Sequence, residues 1–180
     1  MKVAVCDYGA GNVRSVLLAL RRLGAVAEVT DEPGAVASAD LAVLPGVGSA
    51  ATAMARLRAT GVDEALRARA GPTLGICLGL QLALEETEED GGVAGLALAP
   101  GRAVRLRGER VPRIGWASVE PDGDAYYFAH SFAAESPAAV ATSEGLVAEV
   151  RCGAFTGVQF HPEKSGAAGA RWLERCLSRV

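Results

Sequence analysis

A chain of 180 residues, half of them hydrophobic and 22% charged, has the length of one domain and enough apolar content to bury a full core. Its formal net charge of −3 speaks against a non-specific nucleic-acid binder, and no run approaches the ~20 apolar residues of a membrane span. Cys6, Cys77, Cys152 and Cys176 are scattered without CxxC spacing, so neither a zinc site nor a disulfide framework is expected, and a reducing cytoplasm fits best.

The first half alternates strand and helix. Residues 3–7 read as a first strand, running in directly from Lys2 rather than through a signal peptide. Gly9-Ala10-Gly11-Asn12 lacks the third glycine of a dinucleotide fingerprint and reads as a turn. It leads into a helix on which Val13, Val16, Leu17, Leu20 and Leu23 recur at helical spacing, stopped by Gly24. Residues 26–29 and 41–44 are short and apolar, as interior parallel strands are. Leu57, Gly61, Val62 and Leu66 lie in a helical region before a fourth strand at 73–76, and a helix is expected at 80–86. This βαβαβ rhythm predicts a flavodoxin-like α/β fold, an open and mostly parallel sheet with helices on both faces, within a single domain spanning 1–180. Functional groups then gather outside the carboxyl ends of the strands.

After Glu85 the character changes. The acidic run Glu85-Glu86-Thr87-Glu88-Glu89-Asp90 leads to Gly91-Gly92 and reads as a helix end and surface loop. Short strands are expected at 103–107, 117–120, 125–129, 139–142, 147–152 and 155–160, as an antiparallel extension in the C-terminal half. A closing helix carries Trp172, Leu173, Cys176, Leu177 and Val180 on one face. Arg102, Arg105, Arg107, Arg110 and Arg113 form a basic segment; alternation about Leu106 places Arg105 and Arg107 on a solvated or partner-facing edge.

The chemistry centres on Cys77. It stands between an apolar strand and a helix, with Gly75 and Gly79 on either side, the pattern of a nucleophile elbow with sulfur in place of oxygen. A helix N-terminus there favours the thiolate and can bind an oxyanion; the alternative is a buried structural cysteine. A reactive thiol needs a base, and the chain has two histidines, His130 and His161. In an extended segment His161 and Glu163 share one side, with Pro162 stiffening the pair, so the carboxylate can orient the imidazole. Pro45-Gly46-Val47-Gly48 follows the third strand at the same rim. It is either an N–H donor for a carbonyl oxygen or simply a tight turn.

Gly75-Ile76-Cys77-Leu78-Gly79-Leu80-Gln81 with the distal Phe160-His161-Pro162-Glu163 resembles the class I (triad) glutamine amidotransferases. Asp7-Tyr8-Gly9 with Asn12, Pro45 to Gly48, Gly115-Trp116, Tyr127 to Phe132 and Gly157 to Ser165 are similar to one branch of that family, the glutaminase subunits of imidazole glycerol phosphate synthases. The resemblance implies hydrolysis of L-glutamine by a Cys77-His161-Glu163 triad, without metal or cofactor. It implies an oxyanion hole from the N–H groups of Leu78 and of the Val47-Gly48 segment, whose peptide reorients when the partner is loaded. Gly46, Gln81, Glu89 and the chain around His130, Ser131 and Phe132 match positions that hold the amino-acid end of glutamine. A heterodimer with a cyclase subunit, a (β/α)8 barrel receiving ammonia, is implied as well, with Trp116, Lys164 and the arginine-rich strand as contacts. Arg113, Ala117 and Phe132 depart from the family pattern, in which His, Asn and Tyr are usual. A different partner synthase, or a non-enzymatic scaffold with an inert Cys77, are the rival readings.

Overall fold

The computed structural model describes residues 1–9, 12–108 and 111–180. Ala10 and Gly11 of the expected first turn, and Arg110 of the basic segment, lie outside the described residues.

Seven strands make the main sheet. They are β1 (Lys2–Cys6), β2 (Val26–Thr30), β3 (Leu41–Leu44), β4 (Thr73–Ile76) and the later β11 (Ala139–Ser143), β12 (Leu146–Cys152) and β13 (Phe155–Val158). Their order is β11-β12-β13-β4-β3-β1-β2. From β2 to β13 every pairing is parallel; β12 and β11 add on antiparallel, which is the expected extension. The register of β13 on β4 runs from Phe155↔Thr73 to Val158↔Ile76. The chain therefore leaves both strands at the same edge, and residues 77 and 159–161 meet there although some 80 positions separate them in sequence.

Alternation along the strands feeds two cores. Val3, Val5 and Val43 face one way and pack with Val16 and Leu20 of α1 (Val13–Arg22) and with Trp172, Leu173 and Leu177 of the closing helix (Gly166–Leu177). Ala4, Cys6, Ala42 and Leu44 face the other way. They meet Val36 of α2 (Pro33–Ser38), Met54 and Leu57 of α3 (Ala50–Thr60), Leu66 of α4 (Val62–Ala68) and Leu78 and Leu82 of α5 (Leu78–Ala83). We call the closing helix α6. Full burial of a side chain such as Leu44 contributes roughly 1.5–3 kcal/mol, so the layering stabilises the sheet from both sides.

The rest of the chain forms two smaller pieces. One is a sheet in the order β10-β7-β5-β6, built from β5 (Glu86–Thr87), β6 (Val93–Ala94), β7 (Arg102–Arg105) and β10 (Phe132–Glu135). The other is a ribbon of β8 (Arg113–Ser118) against β9 (Ala125–His130).

Several expectations are corrected. β2 is the sheet edge, not an interior strand, and Val26 and Val29 are exposed on it. The helix after Cys77 starts at Leu78 and ends at Ala83, where the buried Leu84 takes extended backbone. Part of the acidic run forms β5, and Glu89 to Gly91 a 3-10 turn, rather than a helix end and loop. The expected strand at 117–120 lies at Arg113–Ser118, and Val180 is exposed beyond the end of α6. Arg105 is exposed as alternation required; Arg107 is exposed too, but lies beyond the end of β7 at Arg105.

Candidate active site

Cys77 occupies the turn between β4 and α5 with φ 51° and ψ −103°, left-handed backbone that a non-glycine residue holds at a cost of about 1–3 kcal/mol. Close backbone packing maintains it. A Cβ on Gly79 would lie 2.0 Å from the Leu44 carbonyl oxygen, and one on Gly46 would lie 2.2 Å from that of Ile76. The 45–48 loop and the elbow thus touch backbone to backbone, which only glycine permits. The Cys77 N–H donates to the Val158 carbonyl at 2.7 Å, tying the elbow to the end of β13.

His161 is fully buried beside this elbow. Its N–H donates to the Tyr127 carbonyl at 2.8 Å, and its own carbonyl accepts from the Ser165 hydroxyl at 2.6 Å. Its Nδ1 lies 2.9 Å from Glu163 Oε1, and that oxygen also accepts from Asn12 Nδ2 at 2.5 Å. The pair meets through a 3-10 turn at Pro162–Lys164, not through the alternation of an extended strand. His161 Nε2 has no hydrogen-bond partner among the described residues. Burial alone would lower the pKa of His161, but the neighbouring Cys77 sulfur and Glu163 carboxylate outweigh it and raise it to about 9.

A pocket of about 320 Å³ opens over Cys77. Gly46, Val47, Gly48, Leu78, Gln81, Glu89, His130, Ser131 and Phe132 line it, together with Pro112, Ile114 and Ala129. Every residue that the sequence put forward for oxyanion or substrate contact therefore reaches one cavity. Glu89 Oε2 also accepts from the Ala50 N–H at 3.2 Å at the start of α3; burial, the larger influence, raises its carboxyl pKa. His130 donates from Nδ1 to the Phe132 carbonyl at 2.9 Å, in the tautomer that an oxygen acceptor requires. Burial, with the charges of Arg113 and His161 added, pushes its pKa down to about 4 against the effect of that hydrogen bond, so it is neutral at physiological pH.

Trp116 and Lys164 do not line this pocket, and both approach Tyr127, with the Trp116 ring 6.2 Å and the Lys164 ammonium 5.8 Å from its ring. Trp116 and Ile114 are more than half exposed on β8, leaving an apolar patch at the rim. Arg113 lies against the Phe128 face at 4.1 Å and hydrogen-bonds Ser143 and Glu144, so this member of the basic segment is tied into the fold.

Four contributors escaped sequence reasoning. Asn12 reaches Glu163 across 151 positions. The buried Tyr8 hydroxyl donates to the Pro45 carbonyl, and burial followed by the neighbouring Cys6 and Cys77 holds its pKa well above the ordinary range, so it stays a donor. Ser165 clasps His161. Gln159 is wholly buried and donates to Cys77 Sγ. Its signal was visible as an amide inside an otherwise apolar strand end.

Comparison with known proteins agrees with this geometry. The family model for glutamine amidotransferase class-I matches residues 4–180. An imidazole glycerol phosphate synthase subunit HisH from Symbiobacterium thermophilum is 46% identical over 96% of this chain and 91% of its own length. The imidazole glycerol phosphate synthase hisHF of Arabidopsis thaliana is 41% identical over 97% of this chain, which spans 34% of that longer protein. A crystal structure of a glutamine amidotransferase superposes with a TM-score of 0.82 at 20% identity, covering 99% of both chains, and so shares the fold. No helix among the described residues is long and apolar enough to cross a membrane. The chain belongs to the class I glutamine amidotransferases, and within them to the HisH subunits of imidazole glycerol phosphate synthase.

Proposed function

We propose that this single domain hydrolyses L-glutamine to glutamate and ammonia and delivers the ammonia to a cyclase subunit, a (β/α)8 barrel, in cytoplasmic histidine biosynthesis. Cys77 gives its proton to His161 Nε2, and the thiolate so formed attacks the side-chain carboxamide carbon. The resulting oxyanion is held by the N–H of Leu78 and one from the Val47-Gly48 segment. His161 then gives the proton to the departing amine, so ammonia leaves and a thioester to Cys77 remains. His161 next takes a proton from water, whose oxygen attacks the thioester and releases glutamate and the thiol. Glu163 holds the imidazole in the tautomer that presents Nε2 and stabilises the imidazolium.

Gln81, Glu89 and the segment 130–132 line the pocket with Cys77 and would bind the ammonium and carboxylate of the substrate. Trp116, Lys164 and the exposed side of β8 would form the partner-facing surface. A subunit covering the pocket would receive ammonia without its passing through water. The fusion of the two activities implied by the longer Arabidopsis relative supports a permanent pairing.

One observation carries the reading: a strained cysteine on a strand-to-helix turn shares a buried edge with a histidine whose Nε2 has no partner among the described residues and whose other nitrogen meets a carboxylate. Ammonia release from glutamine, measured with and without the cyclase subunit and its nucleotide ligand, tests it. Wild-type protein should release ammonia, faster when partnered, and Cys77→Ala should release none. Undiminished hydrolysis by Cys77→Ala would end the proposal.

A further inference from the structure

Behind the triad lies a second polar path to the sulfur. The Phe132 carbonyl, which can only accept, receives Gln81 Nε2 at 2.8 Å and His130 Nδ1 at 2.9 Å. That acceptor decides which way the Gln81 amide faces, since its oxygen there would oppose another oxygen. The same Gln81 nitrogen lies 3.3 Å from Gln159 Oε1. Gln159 must then turn its own NH₂ the other way, and it lies 3.6 Å from Cys77 Sγ. Each amide orientation follows from the one before it, starting at a backbone oxygen that cannot be reversed. Both glutamines are buried, Gln159 completely, which shields these bonds from bulk solvent.

We propose that Gln159 is a dedicated hydrogen-bond donor to the Cys77 thiolate, held in that orientation by Gln81. The neutral thiol has a different partner, the Ala129 carbonyl, which lies 3.8 Å from Sγ and can accept its proton. Ionisation removes that donation and leaves the Gln159 N–H, now charge-assisted, as a stronger bond in a dry setting. The donor thus favours the nucleophilic form independently of His161. Gln81 acquires a double duty, because the amide that steers Gln159 also holds the segment assigned to the substrate. The inference rests on Cys77 being the nucleophile of the proposed glutaminase, but it can be tested without turnover.

The test is the pH dependence of Cys77 alkylation by iodoacetamide in the intact chain, followed by mass spectrometry of the Cys77 peptide. The titratable groups facing this sulfur are His161, backed by Glu163, Tyr8 with Cys6 behind it, and His130 and Glu89, which line the same pocket; all stay in place in the variants. Gln159→Met keeps the volume and removes the donor. Its alkylation midpoint should rise by about one pH unit, which lowers the rate about tenfold at a fixed pH below the midpoint. If that variant fails to fold by circular dichroism, Gln159→Asn serves, since it keeps a buried amide one methylene too short to reach the sulfur, and the same rise is expected. A folded variant with an unchanged midpoint overturns the inference, even if its melting temperature falls, because a purely structural amide would alter stability alone. Loss of glutaminase activity in the wild type would instead count against the proposed function and leave the alkylation result standing.

Discussion

Replacing Gly79 with alanine tests whether backbone packing builds the elbow. The new Cβ would lie 2.0 Å from the Leu44 carbonyl oxygen and 2.8 Å from its carbon, so α5 and the end of β3 must separate by more than about 1 Å before ordinary contact is restored. Overpacking of this kind costs about 1–3 kcal/mol, and the upper end applies because the obstacle is backbone that cannot rotate away. For a chain of this length, about 3 kcal/mol corresponds to a melting temperature lower by roughly 6–12 °C. Cys77 and Leu78 move with the helix, and a misplacement near 1 Å costs about 10²-fold in rate. Thermal melting by circular dichroism and ammonia release from glutamine read the two effects. Gly34→Ala is the control: nothing lies within 4 Å of its added Cβ, and in α2 the substitution should be neutral or stabilising by up to about 1 kcal/mol. A Gly79→Ala protein that melts and turns over like wild type would refute the packing argument.

Three further outcomes follow. His161 has its pKa raised to about 9, so its proton is held at neutral pH and lost as pH climbs through that value; glutaminase activity should fall on that alkaline limb. Glu163→Gln removes the carboxylate charge and should move the limb toward lower pH, whereas an unmoved limb in the pH–rate profile would separate Glu163 from the proton path. Trp116→Ala should weaken binding of the cyclase subunit by about 30-fold or more, the loss of roughly 2 kcal/mol typical of a central interface tryptophan, and calorimetry with an unchanged affinity would move the interface elsewhere.

The order of elements along the first half and the strand ending at Ile76 are both legible in the residues, because short apolar runs between glycine and proline mark buried strands. Cys77 was legible as an elbow for a related reason: small residues on either side have no other purpose in a packed turn. What stayed hidden depends on distance in space. Asn12 and Glu163, or Gln81 and Gln159, become partners only when β13 inserts beside β4, and nothing local in the chain announces that insertion. The short α2 and β10 escaped too. α2 is one and a half turns with a single buried residue, Val36, so no periodicity could develop, and β10 holds only four residues. β2 looked interior because Val26, Ala27 and Val29 are apolar, yet edge position is decided by what lies beyond it, and no strand among the described residues pairs with its outer side.

The most direct measurement is covalent capture of the nucleophile with a glutamine analogue that carries an electrophilic ketone in place of the carboxamide, with the site read by peptide mass spectrometry. One label per chain, confined to Cys77, protected by glutamine and lost in His161→Ala, is the predicted result. Label distributed over Cys152 and Cys176, or Cys77 modified at the same rate without His161, would show that sulfur and imidazole do not act as one site.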